Sequence, residues 1–153
     1  MTPEQQALRD ALAGLPTRAA DAAAHLVHPS VAAVVGEWSA REVVLHLAAV
    51  EVEVWHPRLD ILATGIFPIW PWVEPGLWEG PGNTTFVGAL AALTEFRAAT
   101  IARLDALDDA GWARRGRHAT YGDLDVAALM RIALRHDEEH LAQIQEKVVP
   151  SST

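Results

Sequence analysis

Two of the seven histidines have a spacing that suits metal binding. His136 and His140 lie four residues apart in the run His-Asp-Glu-Glu-His. On a helix, this spacing places both imidazoles on one face, close enough to bind one cation. Seven histidines in a chain of 153 residues produce such a pair by chance roughly once in three or four sequences. The alternative is a pair of half-buried histidines that hydrogen-bond to neighbouring carboxylates.

The surroundings of this pair favour the metal site. Helical spacing from His136 and His140 leads to the apolar residues Leu129, Ile132 and Ile144. Both imidazoles therefore border the apolar stripe of their helix and not its charged face. Burying two imidazoles one turn apart is costly unless they share a strong partner.

His46 is the third candidate ligand. It is flanked by Leu45 and Leu47, and Val43 and Val50 lie one turn away, so it too faces the apolar side of a predicted helix. Taken alone, His46 is more simply explained as a histidine of the hydrophobic core.

The composition excludes several classes of function. The chain carries 12 Lys and Arg against 20 Asp and Glu, and this net charge of −8 disfavours binding to nucleic acids or anionic membranes. It has no cysteine, which excludes disulfides, thiolate metal ligands and a protein-borne thiol nucleophile. The first ten residues are polar, and no apolar run approaches the ~20 residues that cross a bilayer. We expect one soluble domain over residues 1–153, located in the cytoplasm.

Apolar residues recur at three- and four-residue spacing, which predicts an all-α fold, a four-helix bundle. Four helical stretches are predicted: Pro3 to about His28, Ser39 to about Ala63, a third that starts after Asn83 and ends near Leu107, and a fourth from Gly122 or Asp123 to about Val148. Gly14 and Pro16 interrupt the first stretch, and Pro57 predicts a bend in the second. Ser39 and Glu42 have the spacing of a capping box, which marks the start of the second helix.

The connection over residues 65–82 decides how the helices are arranged. His46 lies roughly 10 Å into the second helix, and His140 lies roughly 12 Å from the far end of the fourth. These levels match only if the two helices are antiparallel. Eighteen residues at up to ~3.3 Å each can cross a bundle of ~35 Å, so this Pro-rich segment can make the third helix parallel to the second. The fourth helix then returns antiparallel to the second.

Four motifs occur in a set order along the chain: Trp38-Ser39-x-x-Glu42-x-x-x-His46-Leu47, then Arg58, then Gly122-Asp123-Leu124, then His136-Asp137-x-x-His140-Leu141-x-x-Ile144. Together they resemble the DinB-like family, also known as YfiT-like metal-dependent hydrolases. The resemblance covers essentially the whole chain.

The resemblance implies an up-down-down-up four-helix bundle with a long crossover between the second and third helices. It also implies a divalent metal held by three histidines, which correspond to His46, His136 and His140, and a homodimeric assembly. Characterised members include S-transferases that use bacillithiol and isomerases that depend on mycothiol, while many members have no assigned reaction.

Three neutral imidazoles leave a bound cation its full charge and at least one open position, as in catalytic metal sites. Nitrogen ligands suit Zn, Ni or another first-row transition metal without choosing among them. Such a cation lowers the pKa of bound water or holds a thiol as thiolate. Because the chain has no cysteine, that thiol would arrive on a low-molecular-weight cosubstrate.

Carboxylates close to the histidines are candidates to accept the second N–H of each ligating ring. Glu53 lies two turns after His46, and Asp137 and Glu139 flank the histidine pair. The alternative for each of the three is a solvated acidic surface.

Three tryptophans near the expected ends of the helices, Trp38, Trp72 and Trp78, are candidates to line an apolar mouth of the site. The alternative, which we favour for at least two of them, is that they anchor loops against the bundle. For Arg58 we expect an exposed ion pair.

The sequence thus predicts a divalent-metal-dependent enzyme, a thiol S-transferase or a hydrolase, that acts on small electrophiles. The alternative is a non-catalytic stress-response protein that binds a metal or a ligand. In both cases the partner is a small molecule, and neither nucleic acid nor membrane is involved.

Overall fold

Four helical rods form the bundle, and two of them are interrupted. The computed structural model describes residues 1–147. The first rod contains α1 (Pro3–Ala13) and α2 (Leu15–Ala23), and the second contains α3 (Ala40–Val50), a π-helical segment (Glu51–Trp55) and α4 (His56–Ala63). The third rod is α5 (Phe86–Asp105), which the short helix α6 (Asp109–Trp112) follows, and the fourth is α7 (Val126–Glu146). Within residues 1–147, none of the helices combines the length and the hydrophobicity that a membrane span requires.

The start of the second rod confirms the predicted capping box. The Glu42 N–H donates to Ser39 Oγ at 3.2 Å, and the Ser39 N–H donates to Glu42 Oε2 at 2.9 Å. Each side chain thus satisfies a backbone donor that the first helical turn leaves without a partner. Glu42 is therefore engaged in the cap.

Two predicted helix ends differ from the structure. The first rod ends at Ala23 and not at His28, because the chain tightens there and the Leu26 N–H donates to the Ala23 carbonyl at 3.0 Å. The fourth rod begins after Asp125, whose Oδ1 accepts the Ala128 N–H at 2.7 Å. Its predicted start at Gly122 or Asp123 is wrong because these residues belong to a strand. The predicted end at Val148 lies outside the described residues.

Pro57 accounts for the π-helical segment in the second rod. It has no N–H, and in a regular α-helix its ring would clash with the carbonyl of Glu53. The chain makes a wider turn instead, in which the His56 N–H donates to the Glu51 carbonyl, five residues earlier. This turn buries Glu51 completely and leaves Glu53 exposed.

A small sheet corrects the all-α prediction. It contains β1 (Ile69–Trp70), β2 (Arg115–His118) and β3 (Gly122–Asp125) in that order, with β1 parallel to β2 and β2 antiparallel to β3. Trp70 is the Cα partner of His118. Gly116 allows close packing here, since a Cβ on this residue would lie 2.6 Å from the Trp70 ring. Strands of two to four residues carry too little periodicity to be predicted from the sequence.

Hydrogen bonds between the second and third rods join the start of one to the start of the other, and the end of one to the end of the other. Arg41 Nη1 donates to the Asn83 carbonyl at 2.8 Å near the start of each rod, and Arg103 Nε donates to Asp60 Oδ1 at 2.7 Å near the end. Such contacts are those expected of two parallel helices joined by a crossover. The complete up-down-down-up order stays a prediction.

Candidate metal centre

His46 of α3 and His136 and His140 of α7 lie together. One nitrogen from each ring lies within 4.8 Å of the other two. Nε2 of His136 and Nε2 of His140 are 3.2 Å apart. Two nitrogens bound tetrahedrally to one metal at 2.0–2.1 Å would be separated by about 3.3 Å. The spacing of the α7 pair therefore fits the ligand separation of a first-row metal site.

Hydrogen bonds fix the orientation of two of the three rings. His46 Nδ1 donates to the carbonyl of Gly76 at 3.0 Å, and His140 Nδ1 donates to Gln143 Oε1 at 2.9 Å. In a neutral imidazole with its proton on Nδ1, the lone pair is on Nε2. Both rings therefore have the lone pair of Nε2 free to bind a cation. Among the described residues, Nδ1 of His136 is buried without a hydrogen-bond partner.

Burial keeps the α7 histidines in the form that binds metals. It lowers the pKa of His136 to about 3, and repulsion from nearby positive charge, first that of His140 when its ring is protonated and then those of His46 and Arg97, adds to the shift. Burial also lowers the pKa of His140, although its hydrogen bond to Gln143 opposes the shift. Both rings are thus neutral at pH 7, and their lone pairs are available to a cation.

The three imidazoles open into a cavity of about 420 Å³. Trp38 and Trp72, two of the three tryptophans predicted to line an apolar mouth, line this cavity. The Trp38 ring lies 4.9 Å from the His46 ring, between centroids, whereas Trp72 is 60 % exposed. Trp78 has the alternative role, because its ring packs edge-on against Phe96 at 4.9 Å and its indole N–H donates to the Pro81 carbonyl. The walls between are largely apolar and contain Val50, Val54, Trp55 and Ile132.

The carboxylates proposed to orient the histidines have different surroundings. Glu53 is exposed on the π-helical segment, and Glu139 is exposed at the rim of the cavity. Asp137 is buried, and both of its oxygens accept from Arg97, at 2.8 and 3.1 Å. The structure thus places a backbone carbonyl and an amide, those of Gly76 and Gln143, against the ring nitrogens.

A buried ion-pair network, which is absent from the predicted site, lies beside the histidines. Arg97 of α5 binds Glu51 as well as Asp137, and it also donates to the Leu12 carbonyl at 3.0 Å. The hydroxyl of Thr100 donates to Glu51. A signal for this network does exist in the sequence. Each charged residue stands in the apolar stripe of its helix: Leu47-Glu51-Trp55, Leu93-Arg97-Ile101 and Ala133-Asp137-Leu141.

The exposed ion pair expected for Arg58 is wrong. Arg58 is 7 % exposed, and its guanidinium lies between the rings of Trp55 and Trp70, at 5.9 and 5.5 Å from their centroids. Its Nη2 donates to the Pro71 carbonyl at 3.3 Å. β1 supplies Trp70, so the correct position of Arg58 depends on a strand that the sequence does not predict.

Comparisons with known proteins agree with this architecture. A family model described as the DinB superfamily matches residues 2–144. Among solved structures, YfiT from Bacillus subtilis matches with a TM-score of 0.76 and 23 % identity, over 96 % of this chain and 87 % of that one. YfiT is described as a probable metal-dependent hydrolase with an unusual four-helix bundle topology, and at this identity the likeness shows a shared fold. A comparison with curated proteins finds no match.

Proposed function

This chain belongs to the DinB superfamily, and we propose that it is a divalent-metal-dependent enzyme that acts on small electrophiles. The observation that carries the proposal is the convergence of three imidazole nitrogens within 4.8 Å at the wall of a cavity. Three nitrogen ligands with space in front of them are typical of catalytic metal sites, whereas structural sites are closed by a fourth protein ligand.

In this proposal, His46, His136 and His140 hold a Zn, Ni or other first-row divalent cation through Nε2. When bound, the cation would supply Lewis acidity, which lowers the pKa of a water or a thiol and polarises an electrophile. Gly76 and Gln143 hold the rings of His46 and His140 in the tautomer that this binding needs. The apolar walls exclude water from the substrate and strengthen its polar interactions.

Two reactions are compatible with such a site: hydrolysis, and transfer of a low-molecular-weight thiol to an electrophile. We favour thiol transfer with a bacillithiol- or mycothiol-type cosubstrate, because the resemblance to the DinB-like family includes such enzymes. The chain supplies no cysteine of its own, so the sulfur would come from the cosubstrate. The cavity of about 420 Å³ suits small molecules and is too narrow for a folded partner.

Metal analysis tests the first part of this proposal. The purified protein, loaded with Zn or Ni and then dialysed, is expected to retain about one metal per chain by elemental analysis. The His136→Ala variant should lose it, because two imidazoles remain. His28→Ala removes an exposed histidine and is the matched control, which should bind metal like the parent. Metal retention that is equal in the parent and in His136→Ala would contradict the proposed site.

Turnover assays test the second part. Bacillithiol, mycothiol and glutathione are each incubated with a small electrophile, and conjugate formation is followed with the metal-loaded and the metal-free protein. Conjugation that disappears with the metal supports a transferase, and ester or amide cleavage that needs no thiol supports a hydrolase. Metal or ligand binding without any turnover supports the alternative, a stress-response protein that binds without catalysis.

The proposal includes the up-down-down-up order of the rods and a homodimer. The hydrogen bonds between the second and third rods support the order. Size-exclusion chromatography with light scattering tests the dimer, and a mass of 16.6 kDa at all concentrations would contradict it.

A further inference from the structure

One wall of the cavity carries a positively charged side chain, Arg58, that has no role in the proposed metal site. Arg58 lines the same cavity as the three histidines and belongs to α4, the helix that follows the π-helical segment in the chain. Its guanidinium is held by Trp55, Trp70 and the Pro71 carbonyl. These contacts fix its position without neutralising its charge.

Arg58 forms no ion pair among the residues that the structure describes. The only influence that shifts its pKa is burial, which lowers it, so no nearby carboxylate stabilises the charge. The contrast with Arg97 is clear, since that buried arginine has two carboxylates. A buried cation without an anion is costly and needs a partner of opposite charge. Glu74 and Glu139 line the cavity too, but both are exposed, where water screens their charges.

His118 adds a second donor on this wall. It is 4 % exposed and lines the cavity, and it stands beside Trp70 across the parallel strands. Its Nδ1 accepts the N–H groups of Thr120 and Tyr121, at 3.0 and 3.4 Å. The proton of the neutral ring is therefore on Nε2. Burial and the charge of Arg58 both lower the pKa of His118, which keeps this N–H donor neutral.

We propose that Arg58 and His118 form a receptor for the carboxylate of a small apolar acid, and that substrates of the neighbouring metal centre belong to this class. This inference rests on the proposed function, since it names the substrate class of the same cavity. A planar guanidinium matches a carboxylate in shape, and one buried positive charge matches its single negative charge. The apolar walls match the rest of the molecule, which extends from the carboxylate towards the three imidazoles.

Binding of paired probes tests the receptor in the metal-loaded protein. Phenylacetate and phenylacetamide have nearly the same shape, but only the first is charged. Tryptophan fluorescence reports binding, since Trp38, Trp55 and Trp72 line the cavity. We expect the parent protein to bind phenylacetate about tenfold more tightly than phenylacetamide, the effect of one charge-assisted hydrogen-bond pair.

Variants of Arg58 assign the preference to this residue. Arg58→Met should reduce the ratio of the two affinities to about one while the affinity for phenylacetamide changes little. Arg58→Lys should retain part of the preference. If circular dichroism shows that Arg58→Met is unfolded, Arg58→Gln replaces it in the same measurement. Arg117→Met is the matched control, because Arg117 is exposed and paired with Asp123 outside the cavity. His118→Phe should weaken the preference about threefold.

Several results would overturn the inference. One is an equal affinity of the parent protein for both probes, or no binding of either. Another is a preference that survives in Arg58→Met but disappears when the metal is removed, because the metal would then bind the carboxylate. Tighter binding of phenyl phosphate than of phenylacetate would overturn the choice of a carboxylate. If the protein binds no metal but the preference still follows Arg58, the proposed function fails and the receptor stands.

Discussion

Replacing Arg97 by methionine is expected to destabilise the protein strongly. Arg97 is 2 % exposed, and its partners Glu51 and Asp137 are 0 % and 1 % exposed, so water reaches none of the three. Methionine fills a similar volume but removes every hydrogen bond that the guanidinium donates to the two carboxylates, and only the Thr100 hydroxyl still donates to Glu51 among the described residues. Both then remain buried, close together and without a cation.

The expected loss follows from the cost of the uncompensated charges. Removing one partner of a buried ion pair costs about 3–5 kcal/mol, and here one substitution leaves two carboxylates without their cation. Such a loss is about a third to a half of a typical unfolding free energy of ~10 kcal/mol. Protonation limits it, since the pKa of Asp137 is already raised to about 6 by burial, which outweighs the attraction of Arg97. With a urea slope of ~2 kcal/mol/M, the unfolding midpoint should fall by about 2 M.

Urea unfolding followed by far-UV circular dichroism measures this change at pH 7. Arg103→Met is the matched control, because Arg103 is on the same helix and forms an exposed ion pair with Asp60. Its loss should be below ~1 kcal/mol. The triple variant Glu51→Gln, Arg97→Met, Asp137→Asn removes the buried charges together and should recover part of the stability. A midpoint shift for Arg97→Met no larger than that for Arg103→Met would show that the buried carboxylates do not depend on Arg97.

Two further predictions concern packing and pH. Gly88→Ala should lower the melting temperature by about 5 °C, because its Cβ would lie 2.2 Å from the Gly82 carbonyl oxygen, whereas Gly76→Ala, with open space around it, should change little. The metal-free protein should lose stability on acidification, because the folded-state pKa of His136, about 3, lies below the ~6.5 of the unfolded chain. Protons then bind the unfolded state preferentially between these values, so stability present above pH 6.5 is lost as the pH falls. From pH 7 to 5 the parent should lose about 2 kcal/mol more unfolding free energy than His136→Phe, which retains Asp137. Urea titrations at both pH values measure this difference. Equal losses in the two proteins would contradict the low pKa of His136.

Local sequence patterns predict the helical part of the fold and also predict that the three histidines lie close together. The capping box at Ser39, the four-residue spacing of His136 and His140, and the Pro-rich connection are all features of short segments. Helical periodicity and chain reach then constrain where these segments lie.

The polar partners inside the protein could not be predicted in the same way. The group that orients His46 is the carbonyl of Gly76, and a backbone atom leaves no trace in residue type. Arg58 and His118 come together only through β1 and β2, whose strands have two and four residues. Arg97 and Glu51 did carry a signal, a charge within an apolar stripe. Only the packing of three helices shows that these charges satisfy one another.

One segment of the crossover serves two purposes at once. Trp72, Val73 and Pro75 line the cavity, and the carbonyl of the next residue, Gly76, accepts a hydrogen bond from His46 Nδ1. If the proposed metal site is correct, a small molecule that displaces this segment on entry would also break the hydrogen bond that orients His46. Substrate entry and metal affinity would then be coupled through residues 72–76.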